Sequence, residues 1–281
     1  MIQTSIQKKY THLKEILKKK DGILVAFSGG VDSTLLLKLA SDVLPKDKVL
    51  AVMALSELTS EYEQKFAENL QKKLGVNFKT IQSKELEIKE FIQNSKNRCY
   101  ICKKNRYKKL IDIAKQEGFN YVADGTNIDD HQDFRPGNQA AKELGIISPL
   151  SEAGLSKDEI RELSKILNLS NWDKASNSCL ATRIPYFNEI TSKKLKQIEY
   201  AEEYVRSLAL SRQIRVRHHG DLACIEVDEE LLAKITNNKV RNKLVSYFKT
   251  LGFLHVTLNL EGYKMGSMNR LLNNYIRPIS F

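Results

Sequence analysis

Two groups of residues in this chain have types and spacings that could do chemistry. The first is the run Ser28-Gly29-Gly30-Val31-Asp32-Ser33. Paired glycines let a backbone turn tightly and come close to an anion. Successive N–H groups there form an anion nest, and a helix starting at that point adds its positive end. The hydroxyls of Ser28, Ser33 and Thr34 are further donors. Asp32 is unfavourable beside phosphate unless a cation intervenes, so it reads as a residue that helps hold Mg²⁺. The run lacks the Gly-Lys-[Ser/Thr] of a Walker loop and the Gly-x-Gly-x-x-Gly of a dinucleotide site. The second group is sulfur: Cys99, Cys102, Cys179 and Cys224. Cys99-x-x-Cys102 with Cys179 could complete a zinc site with a histidine, or pass a persulfide as a redox pair. Cys224 lies inside an expected strand and reads as packing.

The elements that must position these groups follow from the apolar pattern. Ile23-Leu24-Val25-Ala26-Phe27 is an unbroken apolar run, as in a strand buried on both faces of a parallel sheet. The glycine run follows it at once, and Ser33–Leu44 then reads as a helix with Leu35, Leu36 and Leu39 inward. Further strands are expected at Val49–Met53, near Asn77–Ile81 and at Tyr121–Asp124. Helices are expected at about Ser60–Leu74 and Lys103–Glu117. Ser156-Lys157-Asp158-Glu159 is a capping box for a helix reaching about Leu167. This alternation predicts a doubly wound α/β parallel sheet over residues 1–186. Beyond it come a helix Thr191–Leu208 and strands at Ile214–Arg217, Leu222–Val227 and His255–Leu260. These predict a smaller α+β domain over residues 187–281.

Arg215 and Arg217 are two apart on a strand and so share a face, with Ile214 and Val216 on the other. Two guanidiniums on one face suit a phosphate or a carboxylate. Glu226 stands opposite Ala223, Ile225 and Val227 in alternation, placed to pair with arginines or to meet a substrate.

Bulk properties bound the reading. The chain has 281 residues, 42% apolar and 28% charged, an ordinary balance for a globular protein with one large or two modest cores. No apolar run reaches the roughly 18 residues needed to span a bilayer, and residues 1–10 hold no export-like stretch. A cytoplasmic location and no membrane partner are the expectation. The formal charge is +11. The excess is mainly lysine spread over many helices, which reads as a solvated surface rather than a nucleic-acid stripe. In a reducing compartment four cysteines point to metal or sulfur chemistry before disulfides.

The segment Ala26–Ser33 resembles the PP-loop of the N-type ATP pyrophosphatases. That resemblance implies cleavage of ATP to AMP and pyrophosphate, with AMP passed to a substrate oxygen. Further segments are Asp124-Gly125-Thr126-Asn127, Asp133-Phe134-Arg135-Pro136-Gly137, Asn171-Trp172, Cys179–Tyr186, Arg215-Val216-Arg217 and Ile225-Glu226. Together, over nearly the whole chain, they resemble the LarE family. These sulfur transferases build the nickel-pincer nucleotide cofactor of lactate racemase.

The resemblance implies that ATP is bound by Ala26, Ser28, Gly29, Gly30, Asp32, Ser33, Met53, Gly125 and Arg135. It implies a small-molecule nucleotide substrate, pyridinium-3,5-biscarboxylic acid mononucleotide, whose carboxylates are adenylylated and then thiolated. Thr182, Arg183, Arg215 and Arg217 would bind its phosphate and Glu226 would contact it. Glu202 matches an acidic residue near the sulfur site, with Glu203 beside it leaving the register open by one. One branch of the family sacrifices a cysteine at the position of Ser178. The pattern here, Cys99, Cys102 and Cys179, resembles the branch that holds a [4Fe–4S] cluster, and inorganic sulfide or another donor would then supply the sulfur. Three protein thiolates leave one iron of a cubane open. Zinc and persulfide remain alternatives at these cysteines. The family also implies a homo-oligomer, a hexamer among the options. A tRNA-thiolating ATP pyrophosphatase and a non-catalytic nucleotide-binding or sulfur-carrier protein are the competing readings.

Overall fold

The computed structural model describes residues 4–131, 136–175, 178–209 and 213–270. In chain order its elements are α1 (Thr4–Lys18), β1 (Ile23–Ala26), α2 (Val31–Val43), β2 (Val49–Leu55), α3 (Glu61–Leu74), β3 (Asn77–Gln82), α4 (Lys89–Ile92), α5 (Arg98–Gln116), β4 (Val122–Ala123), α6 (Pro136–Glu143), α7 (Pro149–Glu152), α8 (Lys157–Ile166), α9 (Ser192–Ala209), β5 (Ile214–His219), β6 (Leu222–Val227), α10 (Leu232–Thr236), α11 (Asn238–Thr250) and β7 (His255–Leu258). They form two compact units, residues 4–85 with 99–175, and residues 86–98 with 178–270.

The first unit is built on a parallel sheet of order β3-β2-β1-β4. Strand alternation sends Ile23 and Val25 to one face and Leu24 to the other, and all three are fully buried. The first face packs on α1, α2, α3 and α8 through Leu13, Leu35, Leu36, Ala67 and Leu163. The second packs on α5 and α6 through Tyr107, Leu110, Ala114 and Ala140. Helices on both faces make the sheet doubly wound, as the alternation predicts. The chain leaves β1 toward β2 on one side, while β4 joins β1 from the other. The carboxyl ends of β1 and β4 therefore flank the switch point where such sheets take their ligands. The capping box is formed: the Ser156 hydroxyl accepts from Glu159 N, and the Glu159 carboxylate accepts from Ser156 N at 2.8 Å.

Two helix starts differ from the sequence expectation. Helix α2 begins at Val31 rather than Ser33. Helix α5 begins at Arg98 rather than Lys103, so Cys99-x-x-Cys102 occupies its first turn. No glycine or proline interrupts residues 98–103, and Arg98 N is already bonded to Ser95 O at 3.0 Å.

In the second unit β5 and β6 form an antiparallel hairpin turning at Gly220, and β7 joins β6 in parallel. One face of this sheet meets α9 and α11 in a core of Ala201, Val205, Ile214, Val216, Ile225, Leu244 and Phe248. The segment 86–98 belongs to this unit, although a boundary at residue 186 would assign it to the other. Asn94 holds it there. Fully buried and at φ +57°, Asn94 donates through Nδ2 to Pro185 O at 2.7 Å and Asn188 O at 2.8 Å. Its Oδ1 accepts from Arg98 Nη1, and its carbonyl accepts from Phe187 N at 3.0 Å. No helix among the described residues is long and apolar enough to cross a membrane.

Asn94→Ala would take the donor from the buried Pro185 carbonyl and the part-buried Asn188 carbonyl, and one acceptor from the Arg98 guanidinium. We expect a loss of about 2–4 kcal/mol in unfolding free energy, read as a lower denaturant midpoint at unchanged slope.

Candidate active site

The candidate site of the first unit is the turn from β1 into α2. Gly29 has φ +70°, and a Cβ there would stand 2.7 Å from Ala67 Cβ on α3. Both conformation and space therefore demand glycine. Gly30 is the N-cap of α2 in extended conformation, and it supplies no side-chain cap. The hydroxyls around it fold the loop on itself. Ser33 Oγ accepts from Ser28 N at 3.3 Å and donates to Gly30 O at 3.2 Å, and Thr34 Oγ1 donates to Gly30 O at 2.8 Å. Asn171 Nδ2 braces the turn from outside, donating to Gly29 O at 3.2 Å and Thr34 Oγ1 at 3.0 Å. Lys174 also reaches Gly29 O, at 3.5 Å, while paired with Glu63 at 2.6 Å and lying 3.7 Å from the Phe66 ring centroid. Burial lowers the Lys174 pKa despite Glu63.

A cavity of approximately 320 Å³ opens beside this turn. Ala26, Ser28, Asp32, Ser33, Met53 and Gly125 line it, whereas Gly29 and Gly30 belong to the adjoining turn and are not part of the lining. Arg135 lies outside the described residues, as do Asp133 and Phe134. Gly125 abuts the start of α2: a Cβ there would come within 2.8 Å of Ser33 N. Asp124 is buried and saturated. It accepts from Tyr107 Oη at 2.6 Å, from Thr126 Oγ1 and Ser148 Oγ at 2.8 Å each, and from Thr126 N at 3.1 Å. Burial first, and then the Asp124 charge, pushes the Tyr107 phenol far up. Asp32 pairs with Lys157 and accepts from Asn127 Nδ2 at 3.3 Å. Lys103 and Arg106 add two cations to the lining. A cradle of glycines, an uncapped helix start and these cations fit a nucleotide triphosphate, and Asp32 is a fitting ligand for its Mg²⁺.

The sequence reading missed Lys103, Arg106, Lys157 and Lys174 as members of this region. The signal for Lys103 and Arg106 was present. Lys103, Arg106, Tyr107 and Leu110 follow i, i+3, i+4, i+7 spacing and so share one face of α5.

Cys99 and Cys102 stand one turn apart at the start of α5, partly exposed and outside any disulfide. The Cys102 thiol donates to Glu85 Oε1 at 3.6 Å, and Arg106 Nε donates to the same oxygen at 2.5 Å. Cys179 is in the other unit, also a thiol of intermediate exposure. Taken by itself, neither unit gathers three or more His, Cys, Asp or Glu ligands among the described residues. Thiolates are the donor type that iron–sulfur clusters take, and the first unit offers two of them and the second unit offers Cys179. Cys224 shares the face of Glu226 on β6. Burial pushes its thiol pKa up.

The second unit carries its own candidate site, a buried charge cluster on the β5–β6 hairpin. Arg215 and Arg217 share a face, but that face is buried too, with each residue at most 5% exposed. Arg183 is fully buried and forms a bidentate ion pair with Glu202, Nε donating to Oε1 at 2.8 Å and Nη2 to Oε2 at 3.0 Å. Its Nη1 donates to the carbonyls of Ser178 at 2.6 Å and Cys179 at 3.0 Å, and to Thr182 Oγ1 at 3.0 Å. Glu202 also accepts from Val216 N at 3.0 Å. Glu203 is exposed, so the inward member of that pair is Glu202. Arg217 pairs with Glu226 Oε2 at 2.6 Å and donates to Thr182 O at 3.1 Å. Burial opposes charge on Glu202, yet Arg183 outweighs it and holds the carboxyl below its usual value of 4.5. Burial, then the like charge of Arg183, pulls Arg215 down to about 10. Three buried guanidiniums thus face two buried carboxylates in this cluster, a balance that suits an anionic ligand.

A family described as the PP-loop domain matches residues 2–134. A protein of Synechocystis described only as uncharacterised is 41% identical over 95% of this chain and 99% of its own length. The pyridinium-3,5-bisthiocarboxylic acid mononucleotide synthase of Lactiplantibacillus plantarum is 40% identical over 91% of this chain and 92% of its own length. An uncharacterised protein of Methanocaldococcus jannaschii is 36% identical, covering 90% and 94% respectively.

Gly29→Ala should abolish binding of an ATP analogue by calorimetry, since the added methyl overlaps Ala67 in a disfavoured conformation. Glu202→Gln should cost about 3–5 kcal/mol of stability at neutral pH by leaving Arg183 buried without its counter-charge. The Glu202 carboxyl is depressed in the folded state. Its contribution is therefore complete above about pH 4.5 and drains as pH falls through the folded value. Acid titration of stability should accordingly be shallower below pH 4.5 in the variant.

Proposed function

The chain belongs to the LarE family of ATP-dependent PP-loop sulfurtransferases, and on that premise we propose that it converts pyridinium-3,5-biscarboxylic acid mononucleotide to its bisthiocarboxylate. The product would feed assembly of the nickel-pincer nucleotide cofactor. The observation that carries this reading is the arginine cluster built onto the Ser178–Arg183 segment. Arg183 is tied to the carbonyls of Ser178 and Cys179, so a cysteine is held beside a buried cluster of guanidiniums.

The chemistry divides between the two units. A substrate carboxylate oxygen attacks the α-phosphorus of ATP, the bond to the β-phosphate oxygen breaks, and pyrophosphate leaves. Backbone amides at the start of α2, with Lys103 and Arg106, offset the phosphate charge, and Asp32 would hold Mg²⁺. Lys157 pairs with Asp32 and stands as a further cation beside the phosphate turn. Arg183, Arg215, Arg217 and Thr182 bind the phosphate of the mononucleotide, and Glu202 and Glu226 keep the arginines oriented. Hydrosulfide then attacks the acyl carbon, the C–O bond to AMP breaks, and a thiocarboxylate remains. Two rounds thiolate both carboxylates. Cys99, Cys102 and Cys179 are the residues that would hold a [4Fe–4S] cluster, and the cluster would supply the sulfur as hydrosulfide when bound.

Protein purified without oxygen should contain about four irons per chain, lost in Cys99→Ala, Cys102→Ala and Cys179→Ala. With ATP, sulfide and the biscarboxylate it should form AMP, pyrophosphate and thiocarboxylate over many turnovers. Zinc in place of iron, dehydroalanine at Cys179 after one turnover, or thiolated tRNA as the product would each refute the proposal.

A further inference from the structure

The peptide between Gly29 and Gly30 is flanked by two residues without a Cβ, the pair for which a peptide flip meets least steric resistance. In a planar trans peptide the C=O and the N–H point opposite ways, so a partner on the carbonyl fixes both. The Gly29 carbonyl points to the buried side, where Asn171 Nδ2 donates to it at 3.2 Å and Lys174 Nζ lies at 3.5 Å. Gly30 N points the other way and donates to Ser28 Oγ at 3.3 Å, and Ser28 lines the cavity. Asn171 Nδ2 also donates to Thr34 Oγ1 at 3.0 Å, and that hydroxyl in turn donates to Gly30 O at 2.8 Å. Thr34 is fully buried, so its hydroxyl is spent inside the turn rather than on a ligand. One amide therefore reaches both carbonyls of the glycine pair, the first directly and the second through a hydroxyl. Its orientation is fixed, because Gly29 O can only accept. Asn171 keeps that orientation although its Oδ1 is buried without a partner among the described residues.

We infer that Asn171 is a positioning residue for nucleotide binding: it locks the Gly29–Gly30 peptide with both carbonyls engaged inside the turn, so that no acceptor faces the phosphates. The inference rests on the reading of this turn as the site of the ATP phosphates. A flip of the peptide would carry the Gly29 oxygen to the side of Ser28 and replace a donor there by an acceptor. A carbonyl oxygen repels a phosphate oxygen, and the anion nest would lose one of its N–H groups. The flip also has a backbone signature. Gly30 has φ −76° and ψ 161°. Turning the peptide over moves that φ by about half a turn, into a region of positive φ and extended ψ open essentially to glycine alone. The observed conformation, by contrast, suits any L residue, and a Cβ at Gly30 would meet only Ser28 Oγ, at 3.3 Å. Gly30 thus leaves the peptide able to flip, and Asn171 holds it.

The probe is α,β-methylene ATP, titrated calorimetrically into the full chain and into Asn171→Ala and Asn171→Asp, each with and without Gly30→Ala. We expect Asn171→Ala to weaken the analogue roughly tenfold. Asn171→Asp, nearly the same size as the parent side chain, should weaken it further, because a carboxylate there accepts from the flipped N–H. In the Gly30→Ala background the flipped peptide is closed off, and the Asn171→Ala loss should shrink to about twofold. A merely structural Asn171 would not be rescued in this way, since a methyl on Gly30 replaces none of its contacts. Magnetic resonance of chain carrying isotope-labelled glycine gives a readout free of ligand. The Gly30 amide signal, assigned by its absence in Gly30→Ala, should be single in the parent and doubled or broadened in Asn171→Ala. Equal loss in both backgrounds overturns the inference, as does Asn171→Asp binding better than Asn171→Ala, or a Gly30 signal single and unshifted in both chains. A parent that binds the analogue while Asn171→Ala loses nothing overturns this inference alone. A parent that does not bind it overturns the nucleotide reading as well.

Discussion

The nucleotide half of this protein depends on the absence of side chains where β1 and β4 end. Gly29 lies against Ala67, and Gly125 lies against the amide of Ser33, so two backbone segments close around the first turn of α2. A methyl at either point would force the loop or the helix outward by more than packing can absorb. With those methyls missing, the N–H groups at the start of α2 face the cavity. The strand order does the rest. Because β2 and β4 flank β1 on opposite sides, a cleft must open at its carboxyl end, and the glycine turn projects into it.

The second unit solves a different problem, that of keeping cations available inside a protein. Unpaired buried guanidiniums are expensive, and fully paired ones are useless to a ligand. Arg183 and Arg217 are each held by a carboxylate, which orients them and lowers the cost of burial. Arg215 lies against the ring of Tyr263 and donates through Nη1 to Ile214 O at 2.7 Å. The carboxylates belong to the same economy: Glu202 stays ionised in the core because Arg183 and the Val216 amide surround it. The excess of positive charge that results is a property of the cluster as a unit, and no one of its residues carries it.

Much of this was legible in residue order. The apolar run at Ile23–Phe27, the glycine turn and the capping box at Ser156 each carry a local physical signal, and each took the predicted form. The arginines two apart on a strand were equally plain, because alternation is a local rule. The charge pairs were less so. Glu202 is one of two adjacent glutamates on a lysine-rich helix, and only its position over Val216 makes it the inward one. Lys157 and Lys174 were hidden among 45 lysines and arginines, most of them solvated. Nothing local distinguishes a lysine 125 residues from Asp32 that returns to pair with it.

The sequence by itself determined the doubly wound sheet, the phosphate turn and the identity of the residues able to handle sulfur and anions. These depend on periodicities and on backbone permissions that operate over a few residues. Tertiary structure alone decided which charges are buried, which carboxylate answers which arginine, and that residues 86–98 join the second unit through Asn94. It also decided that residues 259–267 fold back over the arginines. Those outcomes depend on contacts between residues far apart in the chain, where geometry and desolvation set the energy and local pattern carries no trace of it.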